Sequence, residues 1–399
     1  MTAFCKALLI GAFLPLFISA QDFDDPNRDL FYAIFDNNID GVTSALKKKA
    51  SLEATYTYER YGEECKTWTP LHAAAAIGNE EVIELLIKKG ADVHAQLPNG
   101  ANGTEIHQGL FTPLHIAAGY GSLDAAKLLI EKGAKLDAKA NWNRTPLVNA
   151  IRSNERKNTE MVKLLIEEGA AIDIKHSYDA TPLFDAASWG KIEIAKVLLE
   201  KGADPNALSA DCAPYAAYKV TPIFCALWQH HSDMLPLLLE YGATVNTPDL
   251  ESSPLHQAVS YNDLAAAAFL VEKGADRAMK NAKGETALAI ATEKGNAAMI
   301  YLLETGKLRT TDKKIFSLLK EDAFKGFQLI AKEAPAFSFM DMNGNMVSSE
   351  ALNGKVIILN VWATWCGPCV KEMPSFHKLL ESVDRENVVL VAVSIDRNI

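Results

Sequence analysis

The sequence predicts a multidomain protein, an all-α solenoid of short repeats followed by part of an α/β domain. Three observations carry this reading. A Thr/Ser-Pro-Leu segment recurs along most of the chain with a period of about 33 residues. Each copy leads into apolar residues at helical spacing and then into a Gly-Ala pair. Beyond residue 333 the pattern changes to short β-branched runs on either side of a Cys-x-x-Cys segment. With 399 residues the chain is also too long for one ordinary domain.

Residues 1–20 read as a cleaved signal peptide. Lys6 supplies the n-region charge, Ala7 to Ile18 is apolar, and Ser19-Ala20 offers small residues for cleavage. The apolar run is shorter than the ~20 residues a bilayer span requires, and no later run is long enough for a stable membrane span. An exported, periplasmic or secreted location follows, where disulfides persist. The net charge of −10 argues against a nucleic-acid partner, which calls for a basic footprint. With 49% apolar residues the chain can bury a core.

The repeat occupies residues 28–306. Its copies are Thr69-Pro-Leu-His72, Thr112-Pro-Leu-His115, Thr145-Pro-Leu-Val148, Thr181-Pro-Leu-Phe184, Thr221-Pro-Ile-Phe224, Ser253-Pro-Leu-His256 and Thr286-Ala-Leu-Ala289. A hydroxyl residue before Pro suits a helix start, because the hydroxyl caps free N–H groups and Pro at the first position sacrifices no hydrogen bond. Small residues such as Ala73 to Ala76 allow close helix approach. Leu85, Leu128, Leu164, Leu198, Leu238 and Leu270 are expected to be buried between repeats. The Gly of each Gly-Ala pair ends the second helix in a left-handed conformation. The pattern resembles the ankyrin repeat, in about seven copies preceded by a degenerate one over Leu30 to Thr55. That resemblance implies a protein partner bound on the array, and structural rather than catalytic roles for His72, His115 and His256. Trp68, Trp142, Trp189 and Trp228 read mainly as packing residues. Insertions of about ten residues around Leu97–Leu110 and somewhat fewer around Leu208–Tyr218 interrupt the period, in loops that in such arrays often form the binding face.

Residues 307–333 read as a helical linker, and residues 334–399 as the N-terminal part of an α/β domain. Asn343-Gly344 signals a hairpin. Lys355–Trp362 and Asn387–Ile395 read as buried strands, with a helix over Val370–Val383 between them. Cys366-Gly367-Pro368-Cys369 follows the first strand. A zinc site would need two more ligands, and His377 stands alone, so redox chemistry is the favoured reading and no metal is expected. Cys366 falls where a helix begins, and free N–H groups there favour its thiolate as the nucleophile. Cys369, a turn further on, resolves the mixed disulfide. Gly367-Pro368 shape the turn and Trp365 shields it.

The run from Asn360 to Cys369, with Glu372 and Pro374 after it, resembles the TlpA-like branch of the thioredoxin family. Asn360 stands where thioredoxin itself has a buried Asp. The resemblance implies an exported thiol-disulfide oxidoreductase that reduces a partner's disulfide at the expense of a thiol electron donor, with no bound cofactor. The family continues beyond the second strand with further helices, strands and a cis-proline loop, so this sequence is expected to be a piece of a longer domain or to be completed by another chain. The alternative function is an ankyrin-based interaction scaffold whose redox segment is incomplete or serves as a sensor. Cys212 and Cys225 belong to one repeat and its insertion and form a candidate structural disulfide, although a buried free thiol is the favoured reading of Cys225.

Overall fold

The computed structural model describes residues 25–60, 63–97, 109–153, 158–210, 219–247 and 252–308, together with the strands 338–340, 346–348, 356–362 and 388–394. The chain divides into two compact units, residues 1–244 and 245–399.

The first unit stacks six helix pairs among the described residues: α1 (Pro26–Phe35) with α2 (Ile39–Lys47), α3 (Pro70–Ile77) with α4 (Glu80–Lys88), α5 (Pro113–Tyr120) with α6 (Leu123–Glu131), α7 (Pro146–Arg152) with α8 (Asn158–Glu167), α9 (Pro182–Ser188) with α10 (Ile192–Glu200), and α11 (Pro222–Trp228) with α12 (Leu235–Glu240). The first helices of successive pairs, from α1 to α11, pack side by side, and the second helices from α2 to α10 form a parallel row. Turn-like fingers project between pairs. One of them is a true hairpin, β1 (Tyr56–Arg60) antiparallel to β2 (Glu63–Trp68).

Sequence chemistry accounts for each boundary. Thr145 accepts a hydrogen bond from Val148 N–H and Thr181 from Phe184 N–H, with Pro at the first helical position in both. At the end of α4, Gly90 takes φ +103, its N–H reaches the Ile87 carbonyl, and Ala91 N–H reaches the Leu86 carbonyl at 3.0 Å. This closure satisfies carbonyls the helix leaves open and needs a left-handed residue, which is why Gly-Ala recurs. The same bond joins Ala134 to Leu129, Ala170 to Leu165, Ala203 to Leu198 and Ala243 to Leu238. Side chains also stitch one repeat to the next. Ser122 Oγ donates to the Ala76 carbonyl at 3.1 Å, and Ser153 Oγ to the Gly119 carbonyl at 2.7 Å.

Leu198 and Leu238 are fully buried, as is Leu270 in the second unit. Leu85, Leu128 and Leu164 are only half-buried, and the next residues, Leu86, Leu129 and Leu165, fill the core instead. In α4 the buried face is Val82, Ile83 and Leu86, at helical i, i+1, i+4 spacing, and Leu85 lies about 100° round from Leu86.

The second unit contains α13 (Pro254–Ser260) with α14 (Leu264–Glu272) and α15 (Ala287–Glu293) with α16 (Ala297–Thr305), again packed pair on pair. It also contains four strands, β3 (Ser338–Met340), β4 (Met346–Ser348), β5 (Val356–Trp362) and β6 (Val388–Ser394). β3 and β4 are antiparallel on either side of the expected Asn343-Gly344 turn, which itself lies outside the described residues. β5 and β6 are parallel, with Asn360 opposite Ala392 and Trp362 opposite Ser394. The linker 307–333 falls almost wholly outside the described residues, as do the signal segment 1–20 and the helix expected over 370–383.

Candidate functional site

The Cys366-Gly-Pro-Cys369 segment follows β5 in sequence. A parallel strand pair requires a crossover, and the stretch from Ala363 to Asn387 between β5 and β6 is long enough to supply one. Asn360 lies near the C-terminal end of β5, and Cys366 follows Trp362 by four positions in sequence. Ligand and reaction sites of open α/β sheets gather at that end of the strands. Trp365, Cys366, Gly367, Pro368, Cys369 and Glu372 lie outside the described residues. Among the described residues no group of three His, Cys, Asp or Glu side chains is arranged to hold a metal.

Cys225 is disulfide-bonded and not a free thiol. It is fully buried on α11, in an apolar cluster with Ala180, Phe184, Val220 and Phe224, against which Trp228 packs. Cys212 lies outside the described residues.

The repeat histidines are structural. His72 Nε2 donates to the Phe111 carbonyl at 2.9 Å, and His115 Nε2 to the Arg144 carbonyl at 3.0 Å. A carbonyl only accepts, so Nε2 carries the proton and Nδ1 is the acceptor. Thr69 Oγ1 lies 2.7 Å from His72 Nδ1, and Thr112 presents both its hydroxyl and its backbone N–H to His115 Nδ1. Desolvation by burial pulls both imidazoles down to about 4, so they are neutral at physiological pH. His256 repeats the arrangement with Ser253 and the Glu285 carbonyl, and burial lowers it too.

A buried charged cluster escaped the sequence reading. Arg152 of α7 donates from Nε and Nη2 to the two carboxylate oxygens of Asp185 on α9, at 2.9 and 2.7 Å. His176 Nε2 lies 3.1 Å from the same carboxylate. Burial alone would raise the Asp185 pKa, but hydrogen bonds from His176 and Arg152, with their charge, hold it below the usual carboxylate value. The available signal was positional. Asp185 occupies the slot filled by Ala73, Ile116, Asn149, Cys225, Gln257 and Ile290 in the other repeats, and it alone there carries a charge.

The tryptophans divide. Trp68 is buried, edge-on to Tyr120 with ring centroids 5.6 Å apart, and Trp228 is half-buried. Trp142 and Trp189 are not packing residues, being 41% and 47% exposed. Trp142 stands at a finger tip with the Arg144 guanidinium 4.8 Å from its ring centroid, and Tyr178 stands at the next tip, 62% exposed.

The repeat sequence has counterparts among known families. Family models described as ankyrin repeats match residues 30–140, 95–175, 136–209, 183–239 and 238–291, well over half of the chain together. The chain is an ankyrin-repeat protein. This ankyrin-repeat protein continues into a thioredoxin-like domain, where the AhpC/TSA family model matches residues 330–398. Over 67 residues it is 40% identical to the thiol-disulfide oxidoreductase ResA of Bacillus anthracis, covering 17% of this chain and 39% of the relative. Over 61 residues it is 44% identical to the thioredoxin-like protein YneN of Bacillus subtilis, covering 15% and 36%. The ankyrin-repeat protein thus spans about two fifths of the length of the curated relatives it matches. Among solved structures it is similar to the human ASB11 ankyrin repeat domain, at 28% identity and TM-score 0.47, covering 61% of this chain and 99% of that one. It is similar also to the ankyrin repeat domain of Bcl-3, at 26% identity and TM-score 0.49, covering 59% and 98%. No helix among its described residues is long and apolar enough to cross a membrane.

Proposed function

We propose that this ankyrin-repeat protein is an exported thiol-disulfide oxidoreductase that uses the Cys366–Cys369 dithiol and binds a protein partner on its array. The observation that carries the reading is the position of Cys366-Gly-Pro-Cys369 just past a parallel strand, in a segment whose relatives include a thiol-disulfide oxidoreductase. Cys366 thiolate attacks one sulfur of the partner's disulfide, forming a mixed disulfide and releasing the partner's other sulfur as a thiolate. Cys369 thiolate then attacks the Cys366 sulfur, and the partner leaves with both cysteines reduced. Two electrons have passed to the partner, and the Cys366–Cys369 disulfide is returned to the dithiol by a thiol donor. No bound cofactor is required. The disulfide at Cys225 supports export, because such bonds persist in oxidising compartments.

The test is alkylation of the full chain at mildly acidic pH, alongside reduction of a protein disulfide. Cys366 is expected to react first, since thiols at helix N-termini titrate at ~3.5–7.5 against the usual ~8.5. If Cys369 reacts first, the two roles are exchanged. If neither reacts faster than an unfolded thiol, the enzyme reading falls and an interaction scaffold takes its place.

A further inference from the structure

We propose that two neighbouring finger tips of the array, around Trp142 and Tyr178, form a docking site for an acidic, extended segment of the protein partner. The inference rests on the reading of the array as a partner-binding element and names the chemistry of what it binds. The two tips are built alike. Ala140 N–H closes on the Arg144 carbonyl at 2.8 Å, and His176 N–H on the Ala180 carbonyl at 2.9 Å. In each tip an aromatic residue and the residue after it are left-handed: Trp142 and Asn143 at φ +59 and +58, Tyr178 and Asp179 at φ +57 and +64. Asn and Asp tolerate that conformation, whereas a bulky ring strains in it.

The same turn can be made without that strain. In the finger at 281–285, Asn281 N–H closes on the Glu285 carbonyl at 2.9 Å, Lys283 takes the slot of the aromatic, and the left-handed residue is Gly284 at φ +78. Strain that a fold can avoid points to a task for the strained residue. Both rings are exposed, and backbone contacts to neighbouring fingers steady them. Asn141 N–H donates to the Gly109 carbonyl at 3.1 Å, and the Tyr178 carbonyl accepts from Ala210 N–H at 2.9 Å and Ser209 Oγ at 3.1 Å. Rings held in place this way lose little freedom when a ligand lies on them.

Charge around the rings decides the chemistry of the ligand. The Arg144 guanidinium lies 4.8 Å from the Trp142 ring centroid. Lys139 and Lys175, both exposed, stand at one position in the two fingers, six residues before Thr145 and Thr181. Lys219 Nζ meets the Asp179 carboxylate at 3.0 Å, so the carboxylate at the second tip is already neutralised. Asp137 and Asp173 lie two positions before the lysines, and Asp137 is engaged by Ala171 N–H at 3.0 Å. Against a net charge of −10, this cationic patch draws an acidic segment that the chain at large repels. Trp, Tyr and Arg are also the side chains on which interface affinity concentrates. The fingers follow α7 and α9, which are neighbours, so the tips stand about 10 Å apart. An extended chain rises ~3.3 Å per residue, so positions about three apart meet the two rings and acidic residues between them reach the cations.

The test pans a phage-displayed library of random peptides on the full chain, and measures the recovered peptides by fluorescence anisotropy. Peptides enriched in Asp and Glu are expected, with affinity that falls as salt rises. Trp142→Gly and Tyr178→Gly should each weaken them roughly tenfold. The Lys139→Glu, Lys175→Glu double variant should weaken them by a similar factor. Glycine suits both left-handed positions, so the thermal midpoint of the two glycine variants should hold or rise. A midpoint lowered by more than about 5 °C would show that the rings serve stability, and overturns the proposal. Peptides that are neutral or basic, or whose affinity the variants leave unchanged, overturn it too and place the partner elsewhere on the array. Tighter binding of a single-stranded oligothymidylate than of the acidic peptides overturns it in favour of a nucleic acid. Recovery of no peptide at all removes the partner-binding reading as well, whereas thiol exchange by Cys366 is assayed separately and stands or fails alone.

Discussion

Acid should loosen the array through His72 and His115. Both rings titrate near 4 in the folded chain against about 6.5 in an exposed imidazole. Between those values the unfolded chain binds protons that the folded chain refuses, so folding stability is whole above pH 6.5 and drains away as the pH falls towards 4. Burial is the cause, and Nδ1 of His115 faces the Thr112 hydroxyl at 2.8 Å and its N–H at 3.2 Å. A proton placed there would confront a donor and have no water to reach. A shift of about 2.5 units is worth roughly 3 kcal/mol per ring at full protonation, and about 2 kcal/mol at pH 5. The pair should therefore remove on the order of 4 kcal/mol between pH 7.5 and pH 5. Urea denaturation followed by circular dichroism at the two pH values measures this, with the His72→Gln, His115→Gln double variant as reference. The variant will be less stable at both, but its stability should vary with pH by about 4 kcal/mol less than that of the parent. Equal pH slopes in parent and variant would refute the reasoning, as would an NMR titration placing His115 at or above 6.5.

The remaining expectations use other features of the array. Asp185→Ala should destabilise by about 3–5 kcal/mol in chemical denaturation, because it leaves Arg152 and His176 without their shared counter-charge. Pairing it with Arg152→Met should recover much of that loss. Gly190→Ala should lose more than about 2 kcal/mol, since φ is +62 and a Cβ would meet His231 Nδ1 at 2.5 Å. Gly90→Ala, also left-handed but with open space around the added carbon, should lose only about 1 kcal/mol by the same measurement. Cys369→Ser should trap a mixed disulfide with the partner on non-reducing gels, and Cys366→Ser should abolish exchange altogether.

What could be read from the sequence was whatever repeats. Thr-Pro starts, Gly-Ala ends and paired leucines are local chemistry, because each cap satisfies backbone groups within a few residues of itself. The parallel pairing of β5 with β6 was legible for a related reason. Two β-branched runs separated by a helix-length segment have few alternatives. Errors arose where a side chain's fate depends on which neighbour faces it. Whether Leu85 or Leu86 enters the core is decided by a 100° rotation that the doubled leucine leaves ambiguous. Trp142 and Trp189 occupy finger-tip and helix-end positions, where much of each ring stays exposed and the repeat pattern does not tell which neighbours face it. Asp185 is the instructive case. Repeats three to five carry Val148, Phe184 and Phe224 where repeats one, two and six have the histidine that ties a finger to its neighbour. In that stretch the tie is made instead by Asp185, which joins α9 to Arg152 on α7 and to His176 in the finger before it. A departure from the repeat therefore has to be read together with the departures around it. A charged residue in a slot that elsewhere carries none goes with a missing histidine nearby, and neither is interpretable without the other.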